Sequence, residues 1–183
     1  SLPAARRLWA GGNTTCVATA ASGLTCWGTH ITTMVTGTIE EVSIFGTRLC
    51  VTRADGTGRC HGALTGMATD LSSMQMIETG DLMGCGLSTS GDVTCWGNVF
   101  PTSYPVPADL GDVQQITVSN SHVCTRDDLH RVVCWGSSSS AAERVPIGLG
   151  ELQSIAAGAD TTCMVDVYGA MDCRGQNTYG ALE

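Results

Sequence analysis

Several features that mark other classes of protein are missing from this sequence. No segment approaches the roughly 18 unbroken apolar residues that a membrane-spanning helix needs, and the runs of Ala, Leu, Glu and Lys that fill long helices are absent. None of the cysteine pairs has the close Cys-x-x-Cys spacing that depresses a thiol pKa. We therefore expect no membrane insertion, almost no helix and no redox active site.

Basic residues are also scarce. The chain has 9 Lys and Arg against 17 Asp and Glu, which gives a formal net charge of −8 at pH 7. Binding to phosphates depends on clustered Lys and Arg that release counterions. Nucleic acid and anionic membranes are therefore not expected as partners. The N-terminal Ser1-Leu2-Pro3 has neither a basic start nor a long apolar stretch, so we expect that any signal peptide has already been removed.

The 183 residues contain 23 glycines, recurrent Thr, Ser and Val, and ten cysteines with a regular spacing. The composition favours turn-rich β-structure. The cysteines form five pairs, each with nine residues between its members, a spacing that fits a bridged hairpin and fits zinc poorly. The disulfides assigned on this basis are 16–26, 50–60, 85–95, 124–134 and 163–173, joining Cys16 to Cys26, Cys50 to Cys60, Cys85 to Cys95, Cys124 to Cys134 and Cys163 to Cys173. Such a set of disulfides predicts an oxidising, secreted or extracellular location.

The pairs belong to a repeat. First cysteines are 34, 35, 39 and 39 residues apart, a period typical of arrays and propellers. Eight residues before each first cysteine lies an apolar residue: Leu8, Val42, Ile77, Ile116 and Ile155. Two residues after each second cysteine lies a glycine: Gly28, Gly62, Gly97, Gly136 and Gly175. We interpret the chain as one domain, residues 1–183, with repeats at approximately 4–37, 38–71, 72–111, 112–150 and 151–183.

Between its two cysteines each repeat is predicted to form strand, turn and strand. Four turn centres end in glycine, which supplies the positive φ of a tight hairpin: Ser22-Gly23, Asp55-Gly56, Ser90-Gly91 and Tyr168-Gly169. Repeat four has Leu129-His130 at this point, and there we expect a wider turn or one of another type. A further apolar stretch before each hairpin, such as Ile116-Thr117-Val118, predicts one more strand.

Three or four short strands per repeat cannot bury a core alone, whereas sheets arranged around an axis bury one another's faces. The sequence thus predicts an all-β fold, a five-bladed β-propeller of short repeats with one disulfide-clamped hairpin in each blade.

The phrases CVATAASGLTCWG, CGLSTSGDVTCWG and RVVCWG, the preceding IAAGADTTC and the closing QNTYGAL resemble the repeat of the regulator of chromosome condensation family, in its secreted, cysteine-paired form. The resemblance implies a propeller that binds partners through loops on one face; a secreted inhibitor of β-lactamases has similarly short blades. The nuclear members act on chromatin, a setting that five disulfides and an acidic chain contradict.

The two terminal segments of the chain together match one complete repeat. Residues 177–182 read as the close of a repeat and Leu2-Pro3 with Leu8-Trp9 as its opening. Either the ends meet and close a ring, or the tail of one molecule meets the head of the next.

The residue after each second cysteine is a candidate binding position, occupied in turn by Trp27, His61, Trp96, Trp135 and Arg174. If the five side chains lined one face, they would form a ring of aromatic and hydrogen-bonding groups suited to sugar or protein. The alternative is packing between blades.

The longer connections after repeats three and four, residues 98–112 and 137–151, are the other candidates. The first contains Phe100 and Tyr104, and the second contains the serines at 137–140. They are either recognition loops or plain linkers. Asn13-Thr14-Thr15 is an acceptor pattern for N-glycosylation.

Catalysis finds little support. The four histidines occupy unrelated repeat positions, no catalytic or metal-binding triad is suggested, and no cofactor is implied. The acidic pairs Glu40-Glu41 and Asp127-Asp128 are expected in solvated edges or turns. We therefore predict a secreted, non-enzymatic module that binds protein or glycan. The alternative is a building block of an extracellular surface layer or fibre, assembled from copies of itself through head-to-tail contacts.

Overall fold

A computed structural model describes residues 5–19, 23–28, 34–62, 71–97, 104–136, 149–158 and 160–175. These residues form five antiparallel sheets in chain order. Blade 1 comprises β1 (Ala5–Gly11), β2 (Thr14–Thr19), β3 (Gly23–Gly28) and β4 (Met34–Thr36). Blade 2 comprises β5 (Ile39–Phe45), β6 (Arg48–Arg53) and β7 (Gly58–His61), and blade 3 comprises β8 (Met74–Thr79), β9 (Met83–Ser88) and β10 (Val93–Gly97). Blade 4 comprises β11 (Val113–Val118), β12 (His122–Asp127) and β13 (Val132–Gly136), and blade 5 comprises β14 (Leu152–Ala157), β15 (Thr161–Asp166) and β16 (Met171–Gly175).

Each predicted disulfide joins the second and third strands of its own blade. The two cysteines of every pair lie directly opposite each other in the ladder, with Cα atoms 4.0 to 4.1 Å apart. The all-β prediction, the strand before each hairpin and the five local disulfides are therefore confirmed.

The blades pack face to face in sequence order. The first strands follow one another in the order β1, β5, β8, β11 and β14, and each packs against the one before it, which places them nearest the common axis. The second strands of blades 2, 3 and 4 pack against the first strand of the blade that follows. We call the side of a blade that faces the preceding blade its leading face, and the opposite side its trailing face.

Strand alternation decides which residues reach each face, because successive side chains point to opposite sides of a sheet. The disulfide lies on the trailing face. The apolar residue eight positions before it, and the residue just after its second cysteine, lie on the leading face. The cores therefore form between blades; in one of them, the Cys50–Cys60 disulfide packs against Ile77 and Trp96 of blade 3.

The glycine two residues after each second cysteine is required by a close approach of the chain. All five have positive φ, between 90° and 151°. A Cβ on Gly28 would lie 2.0 Å from the carbonyl oxygen of Asn13, and one on Gly175 would lie 2.0 Å from that of Asp160. The turn between the first two strands leaves room only for hydrogen there, which explains why glycine recurs in all five repeats.

The expectation of a different turn in repeat four is wrong. His130 adopts φ +62°, close to the value of +79° for Gly56 and +85° for Gly169. Its amide donates to the Asp127 carbonyl, as the amide of Gly169 does to that of Asp166. His130 Nδ1 also lies 3.0 Å from the Leu152 carbonyl oxygen, a hydrogen bond that helps to hold a conformation L-residues rarely adopt.

Candidate interaction surfaces

Two of the five residues predicted to form a ring are buried between blades. Trp96 is 2% exposed and packs with the Cys50–Cys60 disulfide of blade 2. Trp135 packs with Met83, Cys85 and Leu87 of blade 3. Packing between blades therefore accounts for these two indoles, and they do not belong to an exposed binding ring.

The other three residues of that set reach solvent separately. Trp27 is 42% exposed, His61 is half-buried and Arg174 is exposed, with its guanidinium 2.7 Å from the Asp172 carboxylate. They lie in blades 1, 2 and 5, and each is on the leading face of its own blade. The structure does not bring them together, and a binding role for each stays a prediction.

The remaining sequence candidates have different surroundings. Tyr104 packs against the core between blades 3 and 4, as part of the connection after repeat three. Phe100 and the serines at 137–140 lie outside the described residues. Asn13 lies in an exposed turn between β1 and β2, a position that leaves its glycosylation a prediction.

The hairpin turns of blades 4 and 5 expose a group of apolar side chains that sequence reasoning missed. Tyr168 is 88% exposed, Leu129 is 65% exposed and Val167 is also exposed. Both turns bind the same short segment of chain, because His130 contacts the Leu152 carbonyl and the Val167 amide donates to the Glu151 carbonyl. We call Leu129, Val167 and Tyr168 the turn patch. The sequence did contain a signal for this patch, since Leu129 and Tyr168 are apolar residues at the apex of a predicted tight turn.

Buried carboxylates hold these turns rigid. Asp166 Oδ1 accepts from the amides of Tyr168 (2.9 Å) and Ala170 (2.8 Å), and Oδ2 accepts from Gly150. Burial acts to raise the pKa of Asp166, but these amides outweigh it and hold the pKa below its ordinary value. Apolar side chains are thereby presented on a preorganised backbone.

Asp127 does the same for the turn of blade 4. It is buried, and its carboxylate accepts from the Arg131 amide (2.8 Å) and from Arg131 Nε (2.6 Å). Burial opposes ionisation, yet the bonds to Arg131 hold the pKa of Asp127 below its usual range. The Asp127-Asp128 pair lies at a turn, as expected, but Asp127 is buried and not solvated.

No described blade packs against the leading face of blade 1. Leu8 is 67% exposed, whereas its equivalents Val42, Ile77, Ile116 and Ile155 are all buried against the preceding blade. Trp27 lies on the same face. Ala10 follows Leu8 by two residues in β1, so both side chains point to the same side of the sheet. Ala10 pairs with Thr15, and Thr15 pairs with Trp27. In blade 1, therefore, an apolar position that is buried in the other four blades is exposed to solvent.

Within the described residues, no blade packs against the trailing face of blade 5 either. Met171 is 68% exposed, while the equivalent Leu24 of blade 1 is 1% exposed and the equivalents in blades 3 and 4, Val93 and Val132, pack against the next blade. Cys163 is partly exposed, whereas the first cysteines of the other four disulfides are buried. The last described blade therefore has no neighbour on this side.

Polar side chains near the axis join blades 1, 2 and 3. Trp9 Nε1 donates to Glu41 (2.9 Å), and Ser43 Oγ donates to Glu78 (3.0 Å). Burial raises the pKa of Glu78 to about 7; the bond from Ser43 lowers it and the charge of Glu41 raises it further.

His122 is a buried histidine that lies within hydrogen-bond distance of two hydroxyl groups. Its Nδ1 lies 2.7 Å from Ser119 Oγ and its Nε2 lies 2.5 Å from Thr162 Oγ1 of the next blade. All three side chains are buried, and burial lowers the pKa of the imidazole against the opposing charge of Asp160. This buried network joins blades 4 and 5.

Five disulfide-clamped sheets packed face to face around an axis define a repeat protein of the β-propeller class. Among solved structures, the chain is similar to the ectodomain of the receptor kinase CR4 from Physcomitrella patens, with a TM-score of 0.74 and 21% identity over 94% of this chain and 50% of that one. It is similar to the CRINKLY ectodomain of the receptor kinase ACR4 from Arabidopsis thaliana, with a TM-score of 0.68 and 22% identity over 92% of this chain and 64% of that one.

A third similar structure is Prp20p, the yeast RCC1 protein from Saccharomyces cerevisiae. Its TM-score is 0.74 and its identity 14%, over 93% of this chain and 58% of that one. The propeller fold implied by the sequence resemblance is thus confirmed. The chain spans between half and two-thirds of the length of these three structures. No family model matches the sequence, and no curated protein matches it significantly.

Proposed function

We propose that this chain is an extracellular, non-catalytic module that binds a protein partner through the turn patch on one edge of the propeller. The observation that carries the proposal is the exposure of Tyr168 and Leu129 at the apices of two turns that Asp166 and Asp127 hold rigid. Exposed aromatic and apolar side chains on preorganised backbone are typical of binding hot spots, because little conformational entropy is lost on binding.

A protein ligand is favoured over a glycan by the distribution of aromatic residues. Two of the three tryptophans next to a disulfide are buried, which removes the repeated stacking platform that a sugar site would have used. The similar structures support the same class: two are receptor kinase ectodomains, and Prp20p was studied for its binding to Gsp1p and histones.

The location is supported by the five disulfides, which persist in oxidising compartments. Receptor ectodomains among the similar structures are consistent with it. The described part of the chain has no helix long and apolar enough to cross a membrane.

The proposal can be tested with arrays of purified extracellular proteins and of glycans, probed with the native protein. Tyr168→Ser and Leu129→Ser should each weaken binding to any protein hit by about tenfold or more, a typical hot-spot effect. Ser90→Ala, at the same turn position of blade 3, is the matched control and should bind as the native protein does. Binding to glycans alone, or protein binding that both Ser variants leave intact, would contradict the proposal.

The alternative of a structural unit in an extracellular surface layer or fibre stays a prediction.

A further inference from the structure

Each of the five first strands contains one extra residue near its start. The pairing with the second strand skips one residue in every blade, between Ala5 and Arg7 in blade 1 and at the equivalent place in the others. A β-bulge of this kind leaves the extra residue unpaired and can re-aim its side chain. The extra residues are Arg6, Glu40, Gln75, Gln114 and Gln153, and all five are exposed. We call these five residues the bulge row.

The bulge row has a uniform chemistry that exposure alone does not explain. Every member ends in a planar group that can make two hydrogen bonds side by side: a guanidinium, a carboxylate or a carboxamide. Three of the five glutamines of the chain are in this row, although serine and threonine are much more frequent in the sequence. The position lies ten residues before each first cysteine, so the sequence repeats the chemistry together with the bulge.

The bulge row lies on the same edge of the propeller as the turn patch. Each member is at the end of the first strand that pairs with the last residues of the second strand, directly before the hairpin turn. Because the first strands lie nearest the axis, the row runs around it. The turns of blades 4 and 5 are both bonded to main-chain groups of Glu151 and Leu152, and Gln153 is the next residue. The row therefore adjoins the turn patch.

Neighbouring members of the row share clefts between blades. Arg6 and Glu40 line a cleft of about 240 Å³ between blades 1 and 2. Glu40 and Gln75 line a larger cleft of about 530 Å³ between blades 2 and 3. The turn that walls the larger cleft is rigid, since Asp55 Oδ1 accepts from the amide (2.9 Å) and the hydroxyl (2.6 Å) of Thr57. Among the described residues no aromatic side chain lines either cleft, so neither offers the stacking surface of a sugar site.

A glutamine next to the row shows how such a carboxamide binds main chain. Gln115 Nε2 donates to the Ile155 carbonyl (2.9 Å) and Gln115 Oε1 accepts from the Ile155 amide (3.2 Å), so one carboxamide satisfies both main-chain groups of a residue in an extended strand. Within the described part of the chain, the carboxamides of Gln75 and Gln153 make no hydrogen bond, and that of Gln114 makes a long one of 3.4 Å to a nearby carbonyl. All three are therefore available to main chain from another molecule.

We propose that the bulge row binds the main chain of an extended segment of the protein partner, with its glutamine carboxamides in the role that Gln115 has within the chain. The inference rests on the proposed function for its partner, a protein whose apolar side chains contact the turn patch. Carboxamides recognise main-chain groups, so the row supplies affinity for any extended segment, while the turn patch selects its apolar residues. Arg6 as a donor and Glu40 as an acceptor extend the row into the two clefts.

The test is a displayed library of random 15-residue peptides, selected on the native protein, with affinities of the selected peptides measured by fluorescence polarisation. Gln75→Ala and Gln153→Ala should each weaken binding about threefold to tenfold, the effect of losing one or two hydrogen bonds. Thr47→Ala, at an exposed turn on the opposite edge, is the control and should bind as the native protein does. All three changes are at exposed side chains, and circular dichroism checks that each variant is folded.

N-methylation of one peptide amide at a time distinguishes main-chain recognition from other contacts. Methylation of the amide that Gln75 accepts from should weaken binding to the native protein by a similar factor. The same methylated peptide should show no further loss with Gln75→Ala, because the two changes remove one interaction.

The outcomes separate this inference from the proposed function. Binding that Tyr168→Ser weakens and both glutamine variants leave intact would overturn the inference and keep the proposed function. Binding that the glutamine variants weaken and Tyr168→Ser and Leu129→Ser leave intact would support the bulge row and contradict the turn patch. A library without binders, additive effects of Gln75→Ala and N-methylation at every amide, or glycan binding that the glutamine variants abolish would each overturn the inference.

Discussion

The hydroxyl of Ser43 in blade 2 donates a 3.0 Å hydrogen bond to the carboxylate of Glu78 in blade 3 and accepts one of 3.0 Å from the amide of Thr79. A single small side chain thereby joins two first strands near the axis of the propeller. The carboxylate it contacts is partly buried, and burial raises its pKa to about 7. We therefore expect this boundary between blades to respond to pH.

We predict that the stability of the fold decreases as pH rises from about 4.5 to about 7. In this range Glu78 ionises in the unfolded chain before it ionises in the folded one, so the folded state binds more protons and the free energy of unfolding falls with pH. The loss is about 3 kcal/mol at most. Glu78→Gln should remove this slope and raise stability at pH 8, as measured by urea unfolding at a series of pH values. Glu40→Gln, at an exposed carboxylate of blade 2, is the control and should leave the change of unfolding free energy with pH as it is in the native protein. If Glu78→Gln also leaves it as it is, Glu78 is not its cause.

His130→Gly should leave the stability of the fold nearly unchanged, because relief of the left-handed backbone offsets the lost hydrogen bond to Leu152. The reciprocal change Gly169→Ala puts a Cβ in open space at φ +85°, so its cost is conformational strain alone and should be about 1 kcal/mol. Chemical denaturation of both variants checks the pair. A large loss of stability in His130→Gly would show that the imidazole contact dominates this turn.

The Cys163–Cys173 disulfide should be reduced first under native conditions. Its first cysteine is partly exposed on the uncovered face of blade 5, whereas Cys16, Cys50, Cys85 and Cys124 are buried between blades. The order in which the disulfides are reduced can be measured by brief treatment with a water-soluble phosphine, followed by alkylation and peptide mass spectrometry. Full reduction should lower the melting temperature sharply, because each loop of this size contributes roughly 3 kcal/mol. Simultaneous reduction of all five disulfides would argue against this difference in protection.

Trp96→Ala should destabilise the fold by about 3 to 5 kcal/mol, since it leaves a cavity between blades 2 and 3. Trp96→Phe should cost much less, because the buried Nε1 of Trp96 donates no hydrogen bond within the described structure. Trp27→Ala, at the equivalent position of blade 1, should change stability by only about 0.5 kcal/mol. Equal losses for Trp27→Ala and Trp96→Ala, measured by urea unfolding, would contradict the difference in packing.

The local structure of each blade could be predicted from the sequence. Cysteines ten residues apart with a turn between them can face each other across an antiparallel ladder, and on this basis the hairpins and all five disulfides were predicted. The recurrent glycine two residues after each second cysteine was visible as well, although its cause, the carbonyl oxygen that occupies the space of a Cβ, required the structure. The binding surfaces were much less predictable: the turn patch was missed, and the turn at His130 was expected to differ.

What the sequence by itself determined is the repeat: its period, its strands, its disulfides and the alternation that assigns each residue to one face of a sheet. Only the tertiary structure decided which of these equivalent residues are buried. Leu8 and Ile77 hold the same place in their repeats, as do Trp27 and Trp96, yet one member of each pair is exposed and the other buried. The physical reason is that burial in this fold is supplied by the neighbouring blade. A residue's own repeat therefore fixes the direction of its side chain, and the presence of a preceding or following blade fixes whether that side chain meets protein or water.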